Sequence, residues 1–338
     1  MKAKAVLANN KYPSDDPRIF EDGEVELQNL RAQDLLVEVH AVSVNPIDVA
    51  VRKSLDADDQ PRVLGFDAVG KVIKTGSDVD NFDVGDRVFY AGSYQRQGSN
   101  AEYQIVDSQI VGHASQELTD AQLVAMPLTS LTAYELLFEK LGLNITDPKN
   151  QDKSILIING AGGVGSVAIQ MAKLCGLDVI GTASNPESIA WVKSGGADYV
   201  VNHHQNLVPQ VQQAGFKYVD YILALSNVDP HWQEIVDLIQ PSTGIIGTIT
   251  NMSEHQINDL KRRSVSFAWE WMFAKSYFNT PNIATQGNYL DQINNWLDNG
   301  SLETTVNKQF SGINAENIFK ATRIVESGHE IGKVVLTR

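Results

Sequence analysis

The run from Ser154 to Cys175, Ser-Ile-Leu-Ile-Ile-Asn-Gly-Ala-Gly-Gly-Val-Gly-Ser-Val-Ala-Ile-Gln-Met-Ala-Lys-Leu-Cys, constrains this chain more than any other stretch. Ile155 to Ile158 is a short apolar run that stops at a glycine cluster. From Val164 onward apolar residues recur at helical spacing, through Val167, Ala168, Met171, Ala172 and Cys175. The pattern predicts strand, tight turn and helix. Gly160, Gly162 and Gly165 fit G-x-G-x-x-G: the first permits the turn, the second admits a pyrophosphate close to the backbone, and the third lets helix pack on strand. Gly163 and Val164 complete the turn at the helix N-terminus, whose free N–H groups and positive dipole end suit phosphate. The alternative is a glycine-rich turn that binds nothing. The continuation argues against it, because Asp178 to Thr182, Tyr199 to Val201, Val219 to Leu223 and Gly244 to Thr250 are further strand candidates with helical stretches between.

Composition bounds the rest. A length of 338 residues suggests about two domains, and 43% hydrophobic with 20% charged residues is ordinary for a soluble globular chain. Twenty-seven Lys and Arg against 41 Asp and Glu give a net charge of -14, which repels phosphate backbones and makes nucleic acid an unexpected partner. A single cysteine, Cys175, excludes an internal disulfide and any multi-cysteine zinc site. No stretch approaches the roughly 20 apolar residues of a membrane span. Met1 to Asn10 alternates like a strand and lacks the apolar core of a signal peptide, so the expected location is the cytoplasm.

The first third consists of short strands and turns. Ala3 to Leu7, Leu35 to Val44, Val69 to Ile73, Arg87 to Tyr90 and Ala101 to Val106 are strand candidates, punctuated by Pro13, Gly23, Pro46, Gly65, Gly76, Gly85 and Gly92. Thr119 and Asp120 can cap a helix over Ala121 to Met126, and Leu128 to Lys140 continues with an apolar face. Tyr289 to Asn299 and Ala315 to Ser327 are expected helices, with Lys333 to Leu336 a closing strand. Phe267, Trp269, Trp271 and Phe273 alternate with other residues as along a strand with one packed face.

With these residues in order, the chain resembles the medium-chain dehydrogenase/reductase superfamily, specifically its zinc-free quinone oxidoreductase branch and the zinc-type alcohol dehydrogenase-like proteins. The landmarks are Asn45-Pro46-Ile47-Asp48 with Arg52, Leu64-Gly65-Phe66-Asp67-Ala68-Val69-Gly70, Val84-Gly85-Asp86-Arg87-Val88, Leu131-Thr132-Ala133-Tyr134, the glycine turn, Gly196-Ala197-Asp198 and Ile331-Gly332-Lys333-Val334-Val335-Leu336. The resemblance implies an α/β fold in which a Rossmann doubly wound parallel sheet is inserted in a β-rich GroES-like catalytic domain. The implied domains are 1–127 with 274–338 (GroES-like) and 128–273 (dinucleotide-binding). In this superfamily the last strand of the cofactor domain often pairs across a two-fold axis, so a homodimer is expected. The alternative for the aromatic run is a core strand with no partner.

The same resemblance bears on metal. Zinc-dependent relatives carry a cysteine where this chain has Asn45 and a Gly-His-Glu where it has Gly65-Phe66-Asp67. An amide and a phenyl ring at two ligand positions predict no zinc. His203-His204 suggests a solvated strand end, and His40, His113, His231, His255 and His329 are scattered. Without a Lewis acid, hydride transfer favours acceptors that delocalise the incoming charge, so a quinone or α,β-unsaturated carbonyl is the expected substrate. By the resemblance, Asn45 and Asp48 lie beside a nicotinamide with Thr132 on the cofactor side, and Asn45 can donate to the acceptor's oxygen. The residues alone leave Asn45-Pro46 equally a plain turn and Asp48 a partner for Arg52. The loop Gly92 to Gly98 suits a mobile pocket wall from which Tyr94 could stack on a planar substrate.

Cofactor choice falls on Val179 to Asn185. NAD enzymes place an acid at this strand end, whereas Ala183 and Ser184 stand here, which favours NADPH over NADH. Ser184, Asn185 and His203, the last partly protonated near neutral pH, are candidate contacts of the 2′-phosphate region, and Lys333 a further cofactor contact. A zinc alcohol dehydrogenase and a non-catalytic NADPH-binding structural or regulatory protein are the competing functions.

Overall fold

The computed structural model describes residues 1–254 and 257–338; His255 lies outside the described residues. The chain divides into two units, Met1–Leu131 with Phe273–Arg338, and Thr132–Met272.

The second unit is built on a six-stranded parallel sheet whose strands follow the order Tyr199–Val201, Asp178–Thr182, Ser154–Ile158, Tyr221–Ala224, Ile245–Thr248 and Ser266–Trp269. The central strand has five buried residues in succession, as expected where helices cover both faces of a parallel sheet. Each fully buried aliphatic side chain there contributes about 1.5–3 kcal/mol. The helix Gly163–Leu174 follows directly from the glycine turn, and Cys175 is a buried packing residue at its end.

Two elements depart from expectation here. The helix predicted to Lys140 is α-helical over Pro127–Tyr134 and then widens into a π-helix, Glu135–Lys140. Its first residue, Glu135, is buried and faces the buried Glu270, whose carboxyl is pushed up to about 8 by burial and by that second carboxylate. The strand carrying the aromatic run ends at Trp269, and Phe273 already has helical backbone. Phe267 packs on the sheet's hydrophobic core, but Trp269 and Trp271 are 56% and 39% exposed, so the run does not form one packed face within the chain.

The first unit holds a seven-stranded mixed sheet and a three-stranded one. The long strand Asp34–Val44 is its axis, pairing with Ala68–Thr75, Tyr103–Asp107 and Lys333–Thr337. Polar strands escaped the pattern: Phe20–Glu26, which pairs with Lys2–Ala8, and Val306–Ser311, which pairs with Lys333–Thr337. The helix Thr285–Asp298 starts four residues earlier than its apolar periodicity indicates, where Gly287 packs so closely that a Cβ there would stand 2.9 Å from the carbonyl oxygens of Gln109 and Val111. Among the described residues no helix is long and apolar enough to cross a membrane.

Candidate functional site

In the first unit the chain folds four polar or charged side chains into one buried cluster. Asn45 precedes the helix Pro46–Lys53, which starts with proline at its first position and carries Asp48 in its first turn. The Asp48 carboxylate accepts the backbone N–H of Asn45 at 2.8 Å, and Arg52 turns instead to Asn10 and Ser14. Neither the plain turn nor the Asp48–Arg52 pair therefore describes this segment. Asp67 comes from the loop after Arg62–Val63, and Lys333 opens the strand Lys333–Thr337. Asn45, Asp67 and Lys333 are 1%, 0% and 3% exposed.

The bonds in this cluster are directional. The Lys333 ammonium donates to Asn45 Oδ1 and, at 3.3 Å, to the Val44 carbonyl, and it lies 3.4 Å from Asp67 Oδ2. Asn45 Nδ2 donates to Asp67 Oδ2 at 2.8 Å, Ser43 Oγ donates to the same oxygen, and the Leu128 N–H donates to Asp67 Oδ1 at 2.7 Å. The carboxamide thus has one orientation. Flipping it would set its oxygen against a carboxylate and its NH2 against an ammonium, losing two charge-assisted bonds of about 1.5–3 kcal/mol each. The ammonium of Lys333, the expected further cofactor contact, makes these three contacts within the cluster.

Asp48 differs from Asp67. It is buried, its Oδ1 has no hydrogen-bond partner among the described residues, and its carboxyl is pushed up to about 7. Burial is the main cause, reinforced by the Asp67 charge and opposed by the Asn45 N–H and the Lys333 ammonium. An acid whose folded pKa lies above its ordinary value near 3.8 stabilises the fold fully below that value and loses the contribution as pH rises toward 7. We therefore expect wild type to lose stability relative to Asp48→Asn between about pH 4 and 7, by an amount of the order of 4 kcal/mol, since each pKa unit is worth about 1.4 kcal/mol. Urea unfolding of both proteins across that range checks it; a flat difference curve would mean that folding does not raise the Asp48 pKa.

Next to the cluster in sequence, Phe66 is buried and packs its ring 4.6 Å from Phe273. The Tyr94 ring lies 6.2 Å from Phe66 and nearly parallel to it, 5.9 Å from Phe273 and 6.2 Å from Tyr277. The loop carrying Tyr94 is pinned rather than loose, because Arg96 forms a two-pronged ion pair with Asp34.

The second unit holds the other expected residues. Asn159 takes a left-handed backbone (φ 68°) and Gly160 N–H donates to Thr182 O, which turns the chain sharply out of the central strand. A Cβ on Gly165 would stand 2.1 Å from Asn159 O, whereas one on Gly162 would meet only the end of the Asn159 side chain, at 2.7 Å. The third glycine is thus required for helix-on-strand packing. The second keeps the backbone bare ahead of the helix N-terminus, where Gly163 and Val164 are half-buried. Ser166 Oγ accepts from the indole N–H of Trp191 at 2.8 Å, tying this helix to Pro186–Ser194. Thr132 is buried in the helix Pro127–Tyr134.

At the end of Asp178–Thr182, Ser184 is half-buried, and Asn185 caps the helix Pro186–Ser194 by accepting the Ser188 N–H at 2.9 Å. Ser184 and His203 follow adjacent strands, with Thr182 opposite Val201. Burial first, then its neighbours His204 and His231, lower the His203 pKa from its ordinary value, which works against the partial protonation expected of it. Among the described residues no three His, Cys, Asp or Glu side chains gather to hold a metal. The donor set at positions 45, 66 and 67 does not fit zinc, since it offers a committed amide, a phenyl ring and a carboxylate already facing an ammonium.

Comparison with known proteins agrees with this architecture. Residues 31–127 match the alcohol dehydrogenase GroES-like domain and residues 163–280 match the zinc-binding dehydrogenase domain. A zinc-type alcohol dehydrogenase-like protein of Staphylococcus aureus is 43% identical over 334 residues, spanning 98% of this chain and 99% of its own. A solved structure from Rhizobium etli, classed as a zinc-dependent alcohol dehydrogenase protein, is 42% identical with a TM-score of 0.94, over 100% of this chain and 98% of that one. The quinone oxidoreductase of Coxiella burnetii is 25% identical with a TM-score of 0.83 over all of both chains.

Proposed function

The chain belongs to the medium-chain dehydrogenase/reductase superfamily, among its zinc-type alcohol dehydrogenase-like proteins, and is an oxidoreductase of that kind; we propose that it passes a hydride from NADPH to a quinone or an α,β-unsaturated carbonyl without a metal. One observation carries the reading. At the positions where zinc-dependent relatives place metal ligands, this chain has the Asn45 amide and the Phe66 ring, and the Lys333 ammonium lies against Asn45 and Asp67. Zinc would supply several kcal/mol of charge stabilisation to a simple carbonyl. Lacking it, the site works best on acceptors whose own conjugation spreads the charge.

A bound nicotinamide supplies the hydride. The glycine turn fits a dinucleotide, with Gly160, Gly162, Gly163, Val164 and Gly165 offering bare backbone to the pyrophosphate. Ala183 and Ser184 present no carboxylate to repel a 2′-phosphate, which favours NADPH, and a His203 ring N–H can donate a hydrogen bond to it. Asn45 Nδ2 uses one N–H on Asp67 and keeps a second, which can donate to the acceptor's oxygen as charge builds there. Asp48, poised near neutrality, can hold the proton that completes the reduction at its Oδ1.

The test is NADPH consumption by chelator-treated protein against quinones, enones, aldehydes and saturated ketones. Turnover confined to the conjugated acceptors is expected, with NADH the poorer donor. Cofactor binding with no turnover on any of them would instead favour a binding protein.

A further inference from the structure

We propose that the Asp34–Arg96 ion pair is a latch that holds Tyr94 in its aromatic cluster and so sets the affinity for planar acceptors, making Arg96 a positioning residue. The inference rests on reading Tyr94 as part of the acceptor's wall.

The loop Gly92 to Gly98 has the composition of a mobile segment, yet it is fastened at several points. Arg96 Nη1 and Nη2 meet Asp34 Oδ1 and Oδ2 at 2.7 and 2.8 Å. Asp34 is 1% exposed and opens the long axial strand, and its Oδ2 also accepts the Arg31 N–H at 2.9 Å. Burial alone would push that carboxyl up, but the bonds from Arg96 and Arg31 outweigh it and keep it below the usual carboxylate range. Farther along, Gly98 N–H donates to Val63 O at 3.0 Å and Gln104 Nε2 donates to Gln97 O at 2.9 Å. A Cβ on Gly98 would stand 2.3 Å from the Leu64 carbonyl, so the loop lies flat on that backbone.

Tyr94 sits two residues before Arg96, in a turn closed by the Arg96 N–H on Ser93 O at 3.3 Å. The planar guanidinium matches the carboxylate fork in direction as well as charge, which a lysine ammonium does not. Fixing Arg96 therefore fixes the turn, and the turn fixes the ring at 6.2 Å from Phe66 with an 18° angle between planes. A wall ordered in advance spares a flat ligand the entropy of ordering it. A small acyclic acceptor, which cannot cover a ring, gains little from that.

A double-mutant cycle on the full chain tests this. Binding of 1,4-naphthoquinone without NADPH is followed by quenching of protein fluorescence, and KM and kcat are measured with naphthoquinone and with but-3-en-2-one. Arg96→Met is expected to weaken naphthoquinone binding about tenfold, with kcat and the KM for butenone within about twofold. Tyr94→Ala should weaken naphthoquinone binding about as much, and Arg96→Met in the Tyr94→Ala background should add nothing. Arg96→Lys, which keeps the charge and loses the fork, serves if the methionine variant does not fold, and should fall between. A Tyr94→Ala effect with no Arg96 effect, or full additivity of the two, overturns the latch. No Tyr94→Ala effect overturns it together with the reading of Tyr94. Quinone binding that follows the cycle without any turnover leaves the latch standing and refutes the hydride-transfer reading.

Discussion

Lys333→Met is expected to destabilise the protein by about 3–5 kcal/mol, because it leaves the Asp67 carboxylate charged, buried and without its cation. Asp67 is fully buried, and its other partners are the Ser43 hydroxyl, the Asn45 amide and the Leu128 N–H, none of which carries charge. The carboxamide loses the bond that fixes its oxygen, so reductase activity should fall even in the fraction that folds. The double variant Asp67→Asn with Lys333→Met removes both charges and should recover much of the stability but little of the activity. Denaturant unfolding of the three proteins separates the terms. A loss below about 1 kcal/mol for Lys333→Met would place that pair among weakly coupled charges and contradict the clamp on Asn45.

Gly165→Val should abolish measurable NADPH binding, a loss of at least about a hundredfold, which is some 2.7 kcal/mol or more. The added Cβ would stand 2.1 Å from Asn159 O and 2.8 Å from Gly160 Cα, and both are backbone atoms of the turn itself. The helix Gly163–Leu174 would have to move off the strand Ser154–Ile158, taking with it the N–H groups proposed to hold phosphate. Gly195→Ala is the control, since its Cβ would meet nothing closer than 3.6 Å and its backbone is ordinary for alanine. Fluorescence titration with NADPH distinguishes them, and retained binding by Gly165→Val would remove the glycine turn from the cofactor site.

The parts of this molecule that could be read from the chain are those in which neighbours in sequence are neighbours in space. Strand, turn and helix from Ser154 to Leu174 form one local unit, and their glycine and apolar spacing carries it whole. The polar cluster was only half legible. Asn45 and Asp48 stand three residues apart, but Lys333 reaches Asp67 across 266 positions, and no local pattern announces such a pair. The helix Pro46–Lys53 did leave a signal, an asparagine before proline with an acid in the first turn, which also suits a simple turn. Phe20–Glu26 and Val306–Ser311 hid for another reason: most of their residues face water, so the apolar alternation that marks a half-buried strand is missing. Arg96 was concealed by its polar, glycine-flanked surroundings, since nothing in that loop reveals the buried carboxylate it meets.

The central claim is that an amide held between an ammonium and a carboxylate takes the place of a metal, which restricts the acceptor to conjugated systems. The most direct measurement is NADPH consumption by protein stripped with chelator and checked for zinc by elemental analysis, run side by side on an enone and on the saturated ketone of the same skeleton. The account predicts sustained turnover of the enone, none of the ketone, and no change in either on adding zinc. Ketone reduction that appears only with stoichiometric zinc would contradict it.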